Sequence, residues 1–159
     1  MNEQSIKLIA ENKKAYFDYF IIERYEAGIE LFGTEVKSVR AGKINLKDSY
    51  IQIKDNEMFL IGVHISPYEA GNRFNRDPMR IRKLLMHKQE IIRLFSRVKQ
   101  EGLTIVPIKC YFLKGRVKFE IALVKGKAKF DKRDSIAQKD AAREIAGVMK
   151  SRMSQSADL

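Results

Sequence analysis

Two strand-length runs joined by a two-residue turn constrain this chain more than any other feature. Leu103 to Leu113 is strand-like, Lys114-Gly115 supplies the turn, and Val117, Phe119, Ile121 and Leu123 then alternate with Lys118, Glu120 and Ala122. Large apolar residues on a period of two make one buried sheet face, and so short a turn makes the pair antiparallel. A second hairpin is predicted upstream, where Ile51 and Ile53 alternate with Gln52, Asp55-Asn56 turns the chain, and Met58 to Ile65 returns. In that return strand Phe59, Ile61, Val63 and Ile65 share one face and Met58, Leu60, Gly62 and His64 the other. A third hairpin is predicted from Phe17 to Glu23, through a turn at Glu26-Ala27-Gly28, into Ile29 to Phe32.

Two helices interrupt these strands. One is predicted from Thr34, as its cap, to Gly42 at the left-handed C-terminal position. The other runs from Lys88 to Glu101, with Ile91, Phe95 and Val98 on the packed face and Gly102 closing it. Pro67 breaks the preceding strand, and Tyr68 to Arg80 reads as a long surface loop. Six short antiparallel strands do not suit a parallel sheet with helical crossovers, so the predicted class is mainly β, a small closed or partly open barrel with peripheral helices.

The net charge of +11 calls for a polyanionic partner, and its placement says more than its size. Between Arg73 and Lys99 nine Lys or Arg face two acids, and between Lys125 and Arg133 five face one; the remaining 123 residues balance at 17 charges of each sign. A partner gripped at two places fits this distribution. Beyond Gly126 the composition shifts. Ser135 to Met153 has no aromatic residue, no proline, and an apolar content of alanines plus Ile136, Ile145, Val148, Met149 and Met153. Such a segment has good helix propensity and little apolar area to dock, so it is expected to be disordered alone and helical on its partner. The expected organisation is a flexible N-terminus over 1–12, a barrel domain over 13–130 that binds the polyanion, and a basic tail over 131–159.

The chemistry of an enzyme is in short supply. Gly42-Lys43 and Gly126-Lys127 lack the upstream glycine and following Ser or Thr of a phosphate loop, and there is no dinucleotide fingerprint or nucleophile elbow. One cysteine and two histidines are too few for a structural zinc site or a disulfide framework, although a dyad of Cys110 with a histidine stays geometrically open. No apolar run approaches a membrane span, and the polar N-terminus does not read as a signal, so the chain reads as cytoplasmic. No catalytic residue, metal, cofactor, small-molecule substrate or membrane partner is expected. Small barrels with a basic surface bind single strands and structured RNA, and without a sequence-reading helix, shape and backbone recognition of a folded RNA is favoured.

The segments NKKAYFDY (12–19), EAGIELFGTEVKSVRAGKINLKDSY (26–50), HISPY (64–68), RKLLMHK (82–88) and KGKAKFDKR (125–133) closely resemble the small protein B family, the SsrA-binding proteins of bacteria. The matches run in order from about residue 12 to 152. The resemblance implies a six-stranded oligonucleotide-binding-type barrel with three helices and a role in trans-translation. There the family binds the tRNA-like domain of transfer-messenger RNA and delivers it to stalled ribosomes. Elongation factor Tu and alanyl-tRNA synthetase act on the same RNA, and the tail helix enters the vacant mRNA channel at the decoding centre. By motif, Glu26, Leu85 and His87 match positions that support RNA binding, and the neighbouring Arg82, Lys83, Lys88, Lys125 and Lys127 are expected to join them. Gly126, Lys127, Asp131, Lys132 and Arg133 match the tail-root motif associated with ribosomal function, and Ile145, Val148 and Met149 fall where the tail engages the channel. Three positions depart from the family pattern: Phe17 and Arg76 stand where a histidine is common, and Ala128 where a lysine is frequent. The alternative reading is a general single-strand RNA-binding or ribosome-associated barrel without a tagging role.

Overall fold

The computed structural model describes residues 6–68 and 75–127. In chain order the elements are β1 (Ile6–Glu11), α1 (Lys13–Asp18), β2 (Tyr19–Ile29), α2 (Gly33–Arg40), β3 (Ile44–Asn45), β4 (Tyr50–Lys54), β5 (Glu57–Ile61), β6 (His64–Ile65), β7 (Arg82–Leu85), α3 (Lys88–Glu101), β8 (Thr104–Leu113) and β9 (Arg116–Gly126). The main sheet runs β1-β8-β4-β5-β7-β2-β9, and a further β8–β9 pairing brings β9 back onto β8. Six antiparallel strands, β8, β4, β5, β7, β2 and β9, therefore close into a barrel, with β1 added on β8. The closure is tight along β8–β9 and β2–β9 and narrow at two seams, with β2 meeting β7 only at Gly28 and Ile29 and β4 meeting β8 at Ile51↔Ile105.

Each predicted hairpin has a different outcome. β8 and β9 meet at Lys114 and Gly115, whose positive φ values of 51° and 78° suit a two-residue hairpin turn. Val117, Phe119, Ile121 and Leu123 are buried in the main core as the alternation requires. The β4–β5 hairpin also forms, with Asp55 and Asn56 at positive φ. Its return strand is shorter than predicted. Gly62, at φ 87°, ends β5, and a Cβ there would stand 3.1 Å from the Asp48 carbonyl oxygen. The kink reverses the inward parity: Met58 and Leu60 point to the core before it, Val63 and Ile65 after it, and β6 pairs with β3 instead.

The hairpin expected from Phe17 to Phe32 does not form. Phe17 and Asp18 end α1, and Glu26-Ala27-Gly28 continues β2, opposite Glu120, Phe119 and Lys118 of β9. Ala27 is 1% exposed, and partners on β9 and β7 satisfy the backbone that a turn would have left open. Glu30 to Phe32 lead into α2, and the sixth barrel strand is β7, which the sequence did not announce. Residues 6–11, expected in a flexible arm, are β1, paired with β8 from Ile6↔Leu113 to Glu11↔Lys109.

Asn12 bolts α1 to the barrel. Its Oδ1 accepts the Ala15 N–H at 3.3 Å, and its Nδ2 donates to the carbonyls of Pro107 at 3.0 Å and Leu46 at 3.3 Å. Ala15 then packs with Val106, Ile108, Ala122 and Val124 as a second cluster outside the main core. Pro107, which cannot donate to a ladder, sits where the β8–β9 register slips. α3 matches its predicted span and ends at Gly102 with φ 65°, but it buries Ile91 and Leu94 and leaves Phe95 on the surface. The three helices among the described residues agree with the number expected.

Candidate nucleic-acid interface

Glu26 lies on β2 two residues before Gly28, the partner of Leu85 on β7, and His87 follows β7 at the start of α3. Gly28 pairs with Leu85 on one side and Lys118 on the other. A Cβ at Gly28 would lie 3.5 Å from the Leu85 Cβ, an ordinary packing distance, so Leu85 lies directly against β2 here. Alternation buries Leu84 at 1% exposure and turns Leu85 outward at 44%. The cleft beside it, about 300 Å³, is lined by Gly28, Ile29, Leu31, Arg116 and Lys118 among others. His87 is exposed at the start of α3, its carbonyl accepting the Glu90 and Ile91 N–H groups while its ring makes no capping bond to the helix. Lys88 is exposed beside it, and Lys83 pairs with Glu57 at 2.7 Å.

Glu26 is a carboxylate on a basic surface, and it stands directly opposite Glu120. Like charges so placed are destabilising. Each is answered separately: the Tyr111 hydroxyl donates to Glu26 Oε2, and Glu120 lies 3.8 Å from Arg24 and 3.9 Å from Lys109. Burial and the bond to Glu26 push the Tyr111 phenol well above its ordinary range, so it stays a donor. The Glu26 carboxylate is thereby held as an acceptor at the surface.

Arg82 corrects the sequence-based expectation of an RNA contact. It is 1% exposed; its Nε donates to Glu35 at 2.8 Å, its Nη1 to the Val63 carbonyl at 2.8 Å and its Nη2 to the Pro78 carbonyl at 3.1 Å. A guanidinium so enclosed organises the protein instead of meeting a phosphate. Nothing in the motif distinguishes it from Lys83, because burial alternates along β7.

Lys125, Gly126 and Lys127 lie at the other end of β2. Lys125 is opposite Phe20, and Gly126 is opposite Tyr19. The Lys127 N–H donates to the Asp18 carbonyl at 2.9 Å, and its ammonium lies 5.2 Å from the centre of the Phe20 ring and 3.4 Å from the Tyr16 carbonyl. Phe20 is 47% exposed, and Arg24 lies over Tyr16 at 5.7 Å. These aromatic partners were not singled out because the sequence shows Phe20 only as one aromatic of a predicted strand and does not show that it faces outward beside Lys127. At about 3.3 Å per residue, the eight residues from Phe20 to Gly28 separate the two groups by roughly 26 Å. Asp131, Lys132, Arg133, Ile145, Val148, Met149 and the expected tail helix lie outside the described residues.

Cys110 is fully buried, and burial pushes its thiol up to about 12, so it is protonated at neutral pH and has the character of a small hydrophobe. Among the described residues no three His, Cys, Asp or Glu side chains gather as a metal site, and no helix is long and apolar enough to cross a membrane.

A closed six-stranded antiparallel barrel with peripheral helices and two clusters of basic and exposed apolar side chains defines a small barrel of oligonucleotide-binding type. The SmpB protein family model matches residues 9–151, and the chain belongs to that family. It is 57% identical over 146 residues to the SsrA-binding protein of Carboxydothermus hydrogenoformans, covering 92% of this chain and 98% of that one. It is 58% identical over 151 residues to the SsrA-binding protein of Clostridium kluyveri, covering 95% and 96% respectively. A chain of the solved structure "tmRNA-SmpB: a journey to the center of the bacterial ribosome" superposes with a TM-score of 0.65 at 47% identity, covering 80% of this chain and 93% of that one.

Proposed function

We propose that this protein is an RNA-binding adaptor for trans-translation, which binds the tRNA-like domain of transfer-messenger RNA and brings it to stalled ribosomes in the cytoplasm. The observation that carries this reading is the likeness, at 47% identity over most of both chains, to a chain of the tmRNA-SmpB structure. The two surface groups on β2 support a division of labour. The Glu26, Leu85 and His87 face, with Lys83 and Lys88, takes the RNA. The Lys125 to Lys127 end leads into residues 131–159, whose Asp131, Lys132 and Arg133 anchor a tail that carries Ile145, Val148 and Met149 into the empty mRNA channel. Elongation factor Tu and alanyl-tRNA synthetase act through the RNA and not on this chain. In this reading the protein catalyses nothing.

A reconstituted translation system programmed with a message lacking a stop codon tests the proposal. Tagging of the stalled chain should require both transfer-messenger RNA and this protein. Proline at Ala142 costs roughly 3 kcal/mol of helix, so Ala142→Pro should abolish tagging while leaving RNA affinity unchanged. Tagging that proceeds without the protein would leave only the general single-strand binder.

A further inference from the structure

Exposed Phe32 holds two guanidinium groups. Arg76 lies 3.8 Å and Arg80 4.7 Å from the centre of its ring, so the two guanidiniums are at most about 8.5 Å apart, the sum of those distances. Phe32 is 42% exposed, stands at the N-terminal cap position of α2, and belongs to neither buried cluster. Arg80 is fixed from behind: its Nε and Nη2 donate to the Glu35 carboxylate at 3.1 and 2.6 Å. The same carboxylate, 4% exposed, accepts the Phe32 backbone N–H at 2.9 Å and Arg82 Nε at 2.8 Å. One buried acid therefore places both the ring and the arginine. Among the described residues, Arg80 Nη1 and the rim of the exposed Arg76 guanidinium have no hydrogen-bonding partner.

Stability alone does not account for this arrangement. A buried ion pair is often no better than apolar packing of the same volume, and an exposed cation–π contact contributes only about 0.5–1 kcal/mol. What the arrangement does supply is the open guanidinium fork of Arg76 and the free Nη1 of Arg80, whose Nε and Nη2 are taken by Glu35, held near one another as donors that match phosphate oxygens. Its position continues a register already described. Gly28 faces Leu85, Ile29 faces Leu84, the Glu30 N–H donates to the Lys83 carbonyl at 3.0 Å, and Phe32 then meets Arg80.

We propose that Phe32, Arg76 and Arg80 form a phosphate-binding platform for RNA that extends the Leu85 face past the end of β7. Arg76 and Arg80 take the phosphate oxygens, and Phe32 is a positioning residue. This rests on the RNA-binding reading above. An RNA is favoured over an acidic protein because nine Lys or Arg against two acids fall between Arg73 and Lys99. It also makes the Arg76 departure from the family pattern a gain of one phosphate ligand.

The test is equilibrium binding of the full-length protein to a transcript of the tRNA-like domain and, separately, to ribosomes, over a range of salt concentrations. Arg76→Gln should weaken binding about 3- to 10-fold and reduce the salt slope by roughly 0.7–0.9, the signature of one lost phosphate contact. Phe32→Leu should act in the same direction and Phe32→Trp should restore binding, with melting temperatures unchanged. Whichever RNA shows the reduced slope supplies the phosphate. Normal binding with an unchanged slope on both RNAs, the result an acidic protein partner would give, overturns the platform alone. Failure of the unsubstituted protein to bind either RNA overturns the RNA-binding reading and the platform with it.

Discussion

Arg82 donates to Glu35 across 2.8 Å with both side chains at 4% exposure or less, so the β7 strand is joined to α2 by a charge pair inside the protein. Arg82 also holds two backbone carbonyls, and Glu35 also holds Arg80 and the Phe32 N–H. Removing one partner leaves the others uncompensated. Arg82→Ala is therefore expected to cost about 3–5 kcal/mol, whereas Lys83→Ala, which removes an exposed pair with Glu57, should change stability by less than about 1 kcal/mol. Denaturant titration of both variants checks the contrast, and a mild effect at Arg82 would mean that the pair is dispensable.

The Glu35 carboxyl predicts a loss of stability in acid. Burial alone would raise its pKa, but the hydrogen bonds from Arg80, the Phe32 N–H and Arg82 outweigh burial and hold it below its ordinary 4.5. A folded-state pKa below the unfolded one contributes stability that is complete above the unfolded value and is lost as pH falls through the folded one. Melting temperature followed from pH 6 downward should fall more shallowly below about 4.5 in Glu35→Gln than in the unsubstituted protein, from a lower plateau. Parallel curves would exclude Glu35 as a source of the acid sensitivity.

Leu84 and Leu85 are adjacent in sequence and opposite in role. Leu84→Ala should cost about 2–5 kcal/mol through the cavity it leaves. Leu85→Ala should barely move the melting temperature and yet weaken binding to the tRNA-like RNA about 10-fold, the effect of about 1.4 kcal/mol. The outcome that counts against the assignment is a Leu85 variant that binds normally.

Asn12 offers a test of how α1 is held. Asn12→Ala leaves the Pro107 and Leu46 carbonyls without their donor, so a loss of about 1–3 kcal/mol is expected. Faster amide exchange in α1 and at the Ile108 carbonyl's partner, the residue 12 N–H, should accompany it.

The strands β4, β5, β8 and β9 were legible because their turns, Asp55-Asn56 and Lys114-Gly115, lie between strand-length apolar runs, of which β9 alternates most clearly. Gly28 misled for a physical reason: glycine is common in turns but also occurs within strands, and only the partners on β7 and β9 show that it is a strand residue here. β7 is four residues long, too short for a period to register. The exposed Leu85 and Glu26 were legible through family likeness alone, since alternation by itself assigns neither face to RNA. Arg82 and Arg80 were indistinguishable from solvated charge until Glu35, about 45 residues away in sequence, was seen between them. The Phe32 platform joins two segments that no local pattern connects.

The central claim, that this barrel recognises a folded tRNA-like RNA, is tested most directly by competition. The labelled tRNA-like domain of transfer-messenger RNA is bound to the full-length protein and displaced by unlabelled RNA of the same fold, by single-stranded RNA and by duplex RNA, all of equal length and at one salt concentration. The account predicts that the folded RNA competes at least about 100-fold better than either of the others, a difference of about 2.7 kcal/mol. Equal displacement by all three would contradict it and leave a general binder of RNA backbone.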